Sequence, residues 1–308
     1  MFNEFIFWII FSIIVVILFF IDLYVTDHRR GKITLKASLI WSAVWICTAL
    51  LFDLFLFIFL KDGHQKALEF LTGYLIEKSL SVDNLFVFLM IFRAMNVPAE
   101  HQPHVIKWGI IGAIVFRIAF ILIGVGLINI FHPIIYLFGA ILLYASYQMA
   151  FGKDESIDRE NNKVIKFLTK HFKLEPSYAG RKFFIKQNGK VFITYMFLTL
   201  ALIETSDIIF AVDSIPAVIA ITTDSFIIIS SNIFAILGLR ALYFALAGVV
   251  ELFTYLKYGV AIILFYVGVK MLLSEIIHIP TIISLSIIVF FLLGSILLSL
   301  IKRKRFEN

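Results

Sequence analysis

A single cysteine, Cys47, leaves this chain of 308 residues without a disulfide framework and without a thiolate cage for a metal. Charge is scarce as well. Asp, Glu, Lys and Arg supply 16% of the residues against 61% hydrophobic ones, and mean hydropathy is +0.99. A soluble domain does not need that much apolar surface, so the class is a polytopic membrane protein. The short alternating segments of a membrane barrel are missing, and continuous apolar blocks of about 20 residues point to an all-α fold. Met1-Phe-Asn-Glu4 lacks the basic leader region of a signal peptide, and no small-residue cleavage site follows. The first apolar block is therefore expected to remain as a helix. All seven histidines, at 28, 64, 101, 104, 132, 171 and 278, fall in expected loops or helix ends. That placement argues against zinc or copper as an ion of the membrane interior; His101-x-x-His104 is the one histidine pair spaced to share a metal on the cytoplasmic side.

Nine apolar blocks are present, at 5–25, 38–60, 67–92, 105–129, 133–151, 191–220, 226–250, 257–277 and 281–301. Basic residues cluster in alternate loops: Arg29, Arg30, Lys32 and Lys36, then ten Lys or Arg in 152–190, then Lys302-Arg-Lys-Arg305. The intervening loops hold only Lys61 and Lys66. Positive charge gathers on the cytoplasmic side, so the N-terminus is expected outside and the C-terminus inside. The net charge of +6 is mostly this sidedness signal. Anionic lipid, not nucleic acid, is its expected partner. Within 152–190, the spacing from Lys163 to Phe172 predicts a short surface helix.

The third and sixth blocks look like copies. Val82-Asp83-Asn84 sets on Val212-Asp213-Ser214, and Glu77 then falls on Asp207, each six residues before its aspartate. Arg117 matches Arg240, Tyr144 matches Tyr266 and Met149 matches Met271, with Arg-to-Met intervals of 32 and 31 residues. Each copy covers three helices, an odd number, so the second must enter the membrane with the opposite polarity. The expected plan is an inverted repeat of two three-helix units. Residues 1–66 form two scaffold helices, 67–151 the first repeat, 152–190 a basic cytoplasmic linker, 191–277 the second repeat, and 278–308 a ninth helix with a basic tail.

The informative residues are the charges inside apolar blocks: Glu77, Lys78, Asp83, Arg117, Glu204, Asp207, Asp213, Arg240 and Lys270. At about 3 kcal/mol each, nine isolated charges at helix centres would cost on the order of 20–30 kcal/mol, so they must pair, reach water or bind an ion. Lys78, Arg117 and Arg240 are the expected supporting ion-pair residues, with the arginines answering acids of the opposite repeat. Glu77, Ser81 and Asn84 share one helix face, as do Glu204, Asp207 and Ser214. Asp83 and Asp213 sit about 100° away on their helices. Pro216 cannot donate to Val212, so the helix is expected to kink or unwind near Asp213; the first copy has Phe86 there. Carboxylates, amide, hydroxyl and carbonyl make an oxygen-only donor set suited to Mg²⁺, Ca²⁺ or Mn²⁺. Glu77, Asp83, Asn84, Glu204, Asp207, Asp213 and Ser214 are the candidate metal ligands. Asp22, Asp53 and Glu251, nearer helix ends, read as vestibule or packing residues.

These residues lie in longer strings: Glu77-Lys-Ser-Leu-Ser-Val-Asp83-Asn84, Trp108-Gly-Ile-Ile-Gly-Ala113, Glu204 through Val218, Ser231 through Phe244, and Tyr255-Leu-Lys-Tyr-Gly259, with Asp22 and Ser42-Ala-Val-Trp45 upstream. In them the chain resembles the TerC family, in particular its Alx-like manganese-transport branch. Thr254 and Glu251 depart from the family pattern. The resemblance implies a bacterial inner-membrane protein that exports Mn²⁺, and a family name that reflects tellurite resistance. The donor set alone leaves Mn²⁺ and Ca²⁺ unseparated. The leading expectation is a secondary transporter working by alternating access, with proton counter-transport as a corollary, Mn²⁺ as substrate and no resident cofactor. The alternative is a metal-responsive membrane scaffold that docks partners through 152–190 without transport of its own. Self-association or a partner membrane protein is left open. An intramembrane aspartyl hydrolase is disfavoured, because Asp83 and Asp213 lack glycine-flanked contexts and no HExxH or Ser-His pattern occurs. No enzymatic activity is expected.

Overall fold

A computed structural model describes residues 4–22, 34–131, 133–152, 162–175, 177–187, 189–247, 255–274, 276–277 and 279–306, without the side chains of 4, 5, 83, 86, 179, 213, 300 and 302–306. The fold is helical: α1 Glu4–Phe20, α2 Leu35–Phe59, α3 Gly63–Ala94, α4 Gln102–Ile130, α5 Ile134–Phe151, α6 Lys163–His171, α7 Tyr195–Ile219, α8 Ser225–Ile236, α9 Leu239–Ala247, α10 Leu256–Leu272 and α11 Thr281–Phe306. Every apolar block contains a helix, and the seventh contains two. By length and apolarity alone, five of the described helices can cross a membrane, or six if the bent pair α8–α9 is one span. The bilayer explains the helical choice. Hydrocarbon offers no hydrogen bonds, so each backbone amide must be satisfied within its own segment. Outward residues such as Leu51 and Leu54 on α2, Ile130 on α4 and Phe290 on α11 are exposed, an apolar belt that suits lipid contact.

Helix α8 is the centre of the bundle. Its residues Phe226 to Ile236 are all buried. Asp224 caps its start, accepting from the amides of Phe226 and Ile227 at 2.9 and 3.4 Å, and pairs with Lys66 of α3 at 2.6 Å. α3 packs on α8 and α7, α4 packs on α7, and α5 packs on α10. This pattern maps onto itself when α3, α4 and α5 are exchanged for α7, α8 and α10. Detail follows the same exchange. Gly139 of α5 meets Gly268 of α10 backbone to backbone, and Ser146 of α5 donates to the Ala261 carbonyl of α10 at 2.8 Å. The offset of 122 that relates Tyr144 to Tyr266 carries one contact onto the other.

Two expectations need correction. Of the kink or unwinding expected near Asp213, the unwinding is absent: α7 stays helical through Pro216 to Ile219. A helix-interior proline removes one hydrogen bond, and the turns on either side still hold the segment. The break comes instead between α8 and α9, where the axis bends by 40°. Gly238 takes φ +79 there, and the Trp45 side chain of α2 lies against its α-carbon, in the space a β-carbon would fill. The block expected to begin a span at 191 also begins as a strand. β1 (Lys173–Glu175), β2 (Phe184–Gln187) and β3 (Lys190–Thr194) form a sheet of order β1-β3-β2, parallel on one side and antiparallel on the other. The surface helix foreseen at 163–172 is α6, and Ile165 is its buried anchor. The sheet is seated on the turn between α3 and α4. Tyr178 donates to the Met95 carbonyl, Arg181 to the Glu100 carbonyl at 3.1 Å, and the His104 ring stacks on Phe183.

Gly238→Ala should cost roughly 2–5 kcal/mol, from the left-handed backbone penalty plus overpacking. Thermal unfolding of the detergent-purified protein measures this. Made in a Trp45→Ala background, Gly238→Ala should cost only the backbone part; no cost there would mean that the φ value does not matter.

Candidate ion site

Four helices bring the buried polar side chains together, and α4 is their meeting point. Glu77 of α3 is fully buried and forms an ion pair with Arg117 of α4, itself buried. Ser81, one turn on, lies 3.4 Å from the same carboxylate, as the shared face foretold. Arg117 also reaches Asn232 Oδ1 of α8 at 3.4 Å. On α7, buried Asp207 lies within electrostatic reach of Arg117, and Glu204 within reach of Asp207. Glu204 turns its carboxylate against Gly112 of α4, in the space a β-carbon would fill. Gly112 and Arg117 are five residues apart, about 7.5 Å along the helix axis, so the α3 and α7 carboxylates address one short stretch of α4.

Several buried atoms of this group have no hydrogen-bond partner among the described residues: Glu77 Oε2, Arg117 Nε, Glu204 Oε2 and Ser214 Oγ. A buried polar atom left alone costs about 1–3 kcal/mol, so the group is polar beyond what its own members satisfy. Asn84 and Ser214 are both buried, in line with their placement on inward faces. The side chains of Asp83 and Asp213 lie outside the described residues, as do Glu251, Thr254, His28, His132 and His278. Among the described residues, no three Asp, Glu, His or Cys side chains converge closely enough to hold a metal ion. The His101 and His104 pair is taken up by aromatic contacts with Tyr178 and Phe183.

Lys78, Arg240 and Asp22 form a second group around the α8–α9 break. Lys78 donates to the carbonyls of Ala235 and Leu237 at 3.1 and 3.4 Å, which the end of α8 leaves without helical partners. Arg240 donates to the Asp22 carbonyl at 2.5 Å and stands 3.8 Å from the Asp22 carboxylate. The expected pairing of both arginines with acids of the opposite repeat is therefore corrected: the partner of Arg240 follows α1, outside both three-helix units, and the ion-pair partner of Arg117 is Glu77 of its own unit, with Asp207 of the other unit within electrostatic reach. Asp22, read as a vestibule or packing residue, is buried in an ion pair. Lys270 donates to Ser284 of α11 at 3.0 Å. Gly112, Asn232 and Asp22 were not singled out as site residues. A run of Ser-Ser-Asn at 230–232 inside an apolar block was the available signal for Asn232.

Removing one partner of a buried ion pair strands the other charge. Arg117→Leu should therefore lose about 3–5 kcal/mol, and adding Glu77→Gln should regain part of it. Denaturant midpoints in detergent test this. A double variant no more stable than the single one would show that Glu77 is not the charge Arg117 neutralises.

Residues 62–307 match the profile of the integral membrane protein TerC family. A relative from Escherichia coli strain K12, provisionally named membrane-bound redox modulator Alx, is 44% identical over 288 residues, covering 91% of this chain and 90% of the relative. A membrane protein of Myxococcus xanthus, STKORF319, is 41% identical over 297 residues, 96% of this chain and 92% of its own length. One from Rickettsia felis is 38% identical over 301 residues, 98% and 99% of the two chains. No solved structure matches. With buried charges set on apolar helices and a profile match over most of its length, the chain belongs to the TerC family of integral membrane proteins.

Proposed function

We propose that this protein is a secondary transporter that exports Mn²⁺ across the bacterial inner membrane by alternating access. The observation that carries the reading is a charge imbalance. Glu77 pairs with Arg117, Asp207 lies within electrostatic reach of the same arginine, and Glu204 within reach of Asp207, so three acids are linked through one another to a single guanidinium. When ionised they carry three negative charges against one positive. The excess of two is the charge of one divalent cation, or of two protons. In a medium of low dielectric neither excess nor deficit is tolerated, so exchange of one divalent ion for two protons keeps the group neutral throughout.

The ligand set of this reading is Glu77, Asp83, Asn84, Glu204, Asp207, Asp213 and Ser214, with Arg117 as the resident counter-ion. Arg117 holds Oε1 of Glu77 and leaves Oε2 without a partner among the described residues, so the cation takes the spare oxygen and shares the carboxylate's charge with the guanidinium. The self-matching contacts of α3, α4 and α5 with α7, α8 and α10 support two inverted units that rock against each other. In this scheme helices α1, α2 and α11 serve as scaffold, the N-terminus lies outside, and the sheet with α6 lies in the cytoplasm. Mn²⁺ over Ca²⁺ rests on the family resemblance, since hard oxygen ligands suit both.

The relatives' redox name suggests another role. With Cys47 alone, this chain cannot cycle an intrachain disulfide. A scaffold without transport is the second reading, and the docked basic sheet at 173–194 favours it as a partner surface.

Proteoliposomes containing only this chain decide between them. Mn²⁺ should cross under a pH gradient, and Glu204→Gln should slow it about tenfold or more, the rate equivalent of about 1.4 kcal/mol. Glu204→Gln and Asp213→Asn proteins that insert normally yet move Mn²⁺ at the wild-type rate would remove the site. No flux from the wild type, with Mn²⁺, Ca²⁺ or Mg²⁺, would leave the scaffold.

A further inference from the structure

A second polar feature lies apart from the acid–arginine group, on the lipid-facing side of the bundle. Between α2 and α3 runs an open groove of about 370 Å³, with walls that include Leu54, Phe57, Leu68 and Leu71. Acyl chains would fill such a groove anywhere on a membrane protein. This one also holds Asp53 and, from the start of α3, His64. Asp53 lines the groove and is partly buried; its Oδ1 is enclosed and has no hydrogen-bond partner among the described residues. Leu54 and Phe57, beside it, are about half exposed, so the groove opens toward lipid. A carboxylate in the wall of a groove open to lipid calls for a partner that the lipid itself can supply.

We infer that this groove binds a phospholipid with a primary ammonium headgroup, the ethanolamine class, through Asp53. Depth suits it. Asp53 lies six residues before the end of α2 at Phe59, about 9 Å along the axis, within reach of the headgroup layer. Charge suits it as well. A carboxylate accepts strong hydrogen bonds from an ammonium with N–H groups, gains less from a quaternary ammonium that has none, and repels an anionic headgroup. His64, whose ring contacts Phe57 at 6.1 Å, is placed to donate to the lipid phosphate. The leucines then run beside the acyl chains. This site is independent of what the acid–arginine group carries.

The test is lipid retention by the purified full-length chain. The protein in mild detergent is offered equimolar ethanolamine, choline and glycerol phospholipids with identical acyl chains, and bound lipid is read by native mass spectrometry. The ethanolamine lipid should be retained about tenfold over the choline lipid, the worth of one charge-assisted hydrogen bond. N-methyl and N,N-dimethyl ethanolamine lipids should fall between. Asp53→Leu should abolish the preference and Asp53→Glu should keep it. Equal retention of ethanolamine and choline lipids overturns the proposal, as does a preference that survives Asp53→Leu or a preference for the anionic lipid. Should Asp53→Leu fail to fold, the methylation series on the wild type decides alone.

Discussion

The ion pair of Glu77 with Arg117 sets the terms for the rest of the membrane interior. Neither charge can sit in hydrocarbon without the other, so α3 and α4 are held in one register. Arg117 also faces α7 through Asp207 and α8 through Asn232. One guanidinium thus fixes the mutual placement of four helices. Small residues make that closeness sterically feasible. Gly112 yields space to the Glu204 carboxylate, and Gly73, one turn before Glu77, lets α3 approach Ser231 and Val218 on and beside α8. Between apolar helices in lipid there is little hydrophobic drive to associate, so close packing at small residues and polar contacts must supply the cohesion.

Arg117 and Arg240 occupy corresponding positions in the sequence and have different partners. Arg117 answers acids inside the bundle, whereas Arg240 is tied to Asp22 beyond α1. The break at Gly238 explains part of the difference. It turns α9 away from the axis of α8 by 40° and leaves two carbonyls that Lys78 caps. Arg240 lies on the far side of that bend. The second charge group is thereby absorbed by backbone and by a scaffold residue, and the first keeps oxygens to spare at Glu77 and Glu204. Two like sequences have become one anchored site and one polar site with unmet demand.

Much of this was legible in the residues. The apolar blocks coincide with helices because a bilayer poses a one-dimensional question of length and polarity. Glu77, Ser81 and Asn84 face inward as their spacing requires, and α6 lies where its amphipathic pattern placed it. What escaped depends on contacts distant in sequence. Pro216 drew attention because proline is a strong local signal, yet the helix tolerates it. Gly238 gave no such signal inside Ala-Ile-Leu-Gly-Leu, because its special conformation is fixed by Trp45 from another helix. The sheet escaped too, although Asn188-Gly189 between apolar stretches is a hairpin signature, and Gly189 takes φ +76 there. Arg240 could not be paired from spacing, since its acid lies 218 residues away.

In the proposed transport cycle, the resident arginine does more than balance charge. A site made only of carboxylates would hold a divalent ion too tightly to release it, or would collapse by repulsion once the ion left. Arg117 offers Glu77 and Asp207 an alternative partner that never leaves the protein. The ion must therefore compete with an existing pair for the carboxylate's charge, which lowers net affinity, and its departure restores the full strength of that pair. Arg117 has reach to both Glu77 on α3 and Asp207 on α7, helices assigned to opposite units of the repeat. A guanidinium that can favour one or the other makes the balance between two arrangements of those helices depend on whether the cation is present, and that dependence is what alternating access needs.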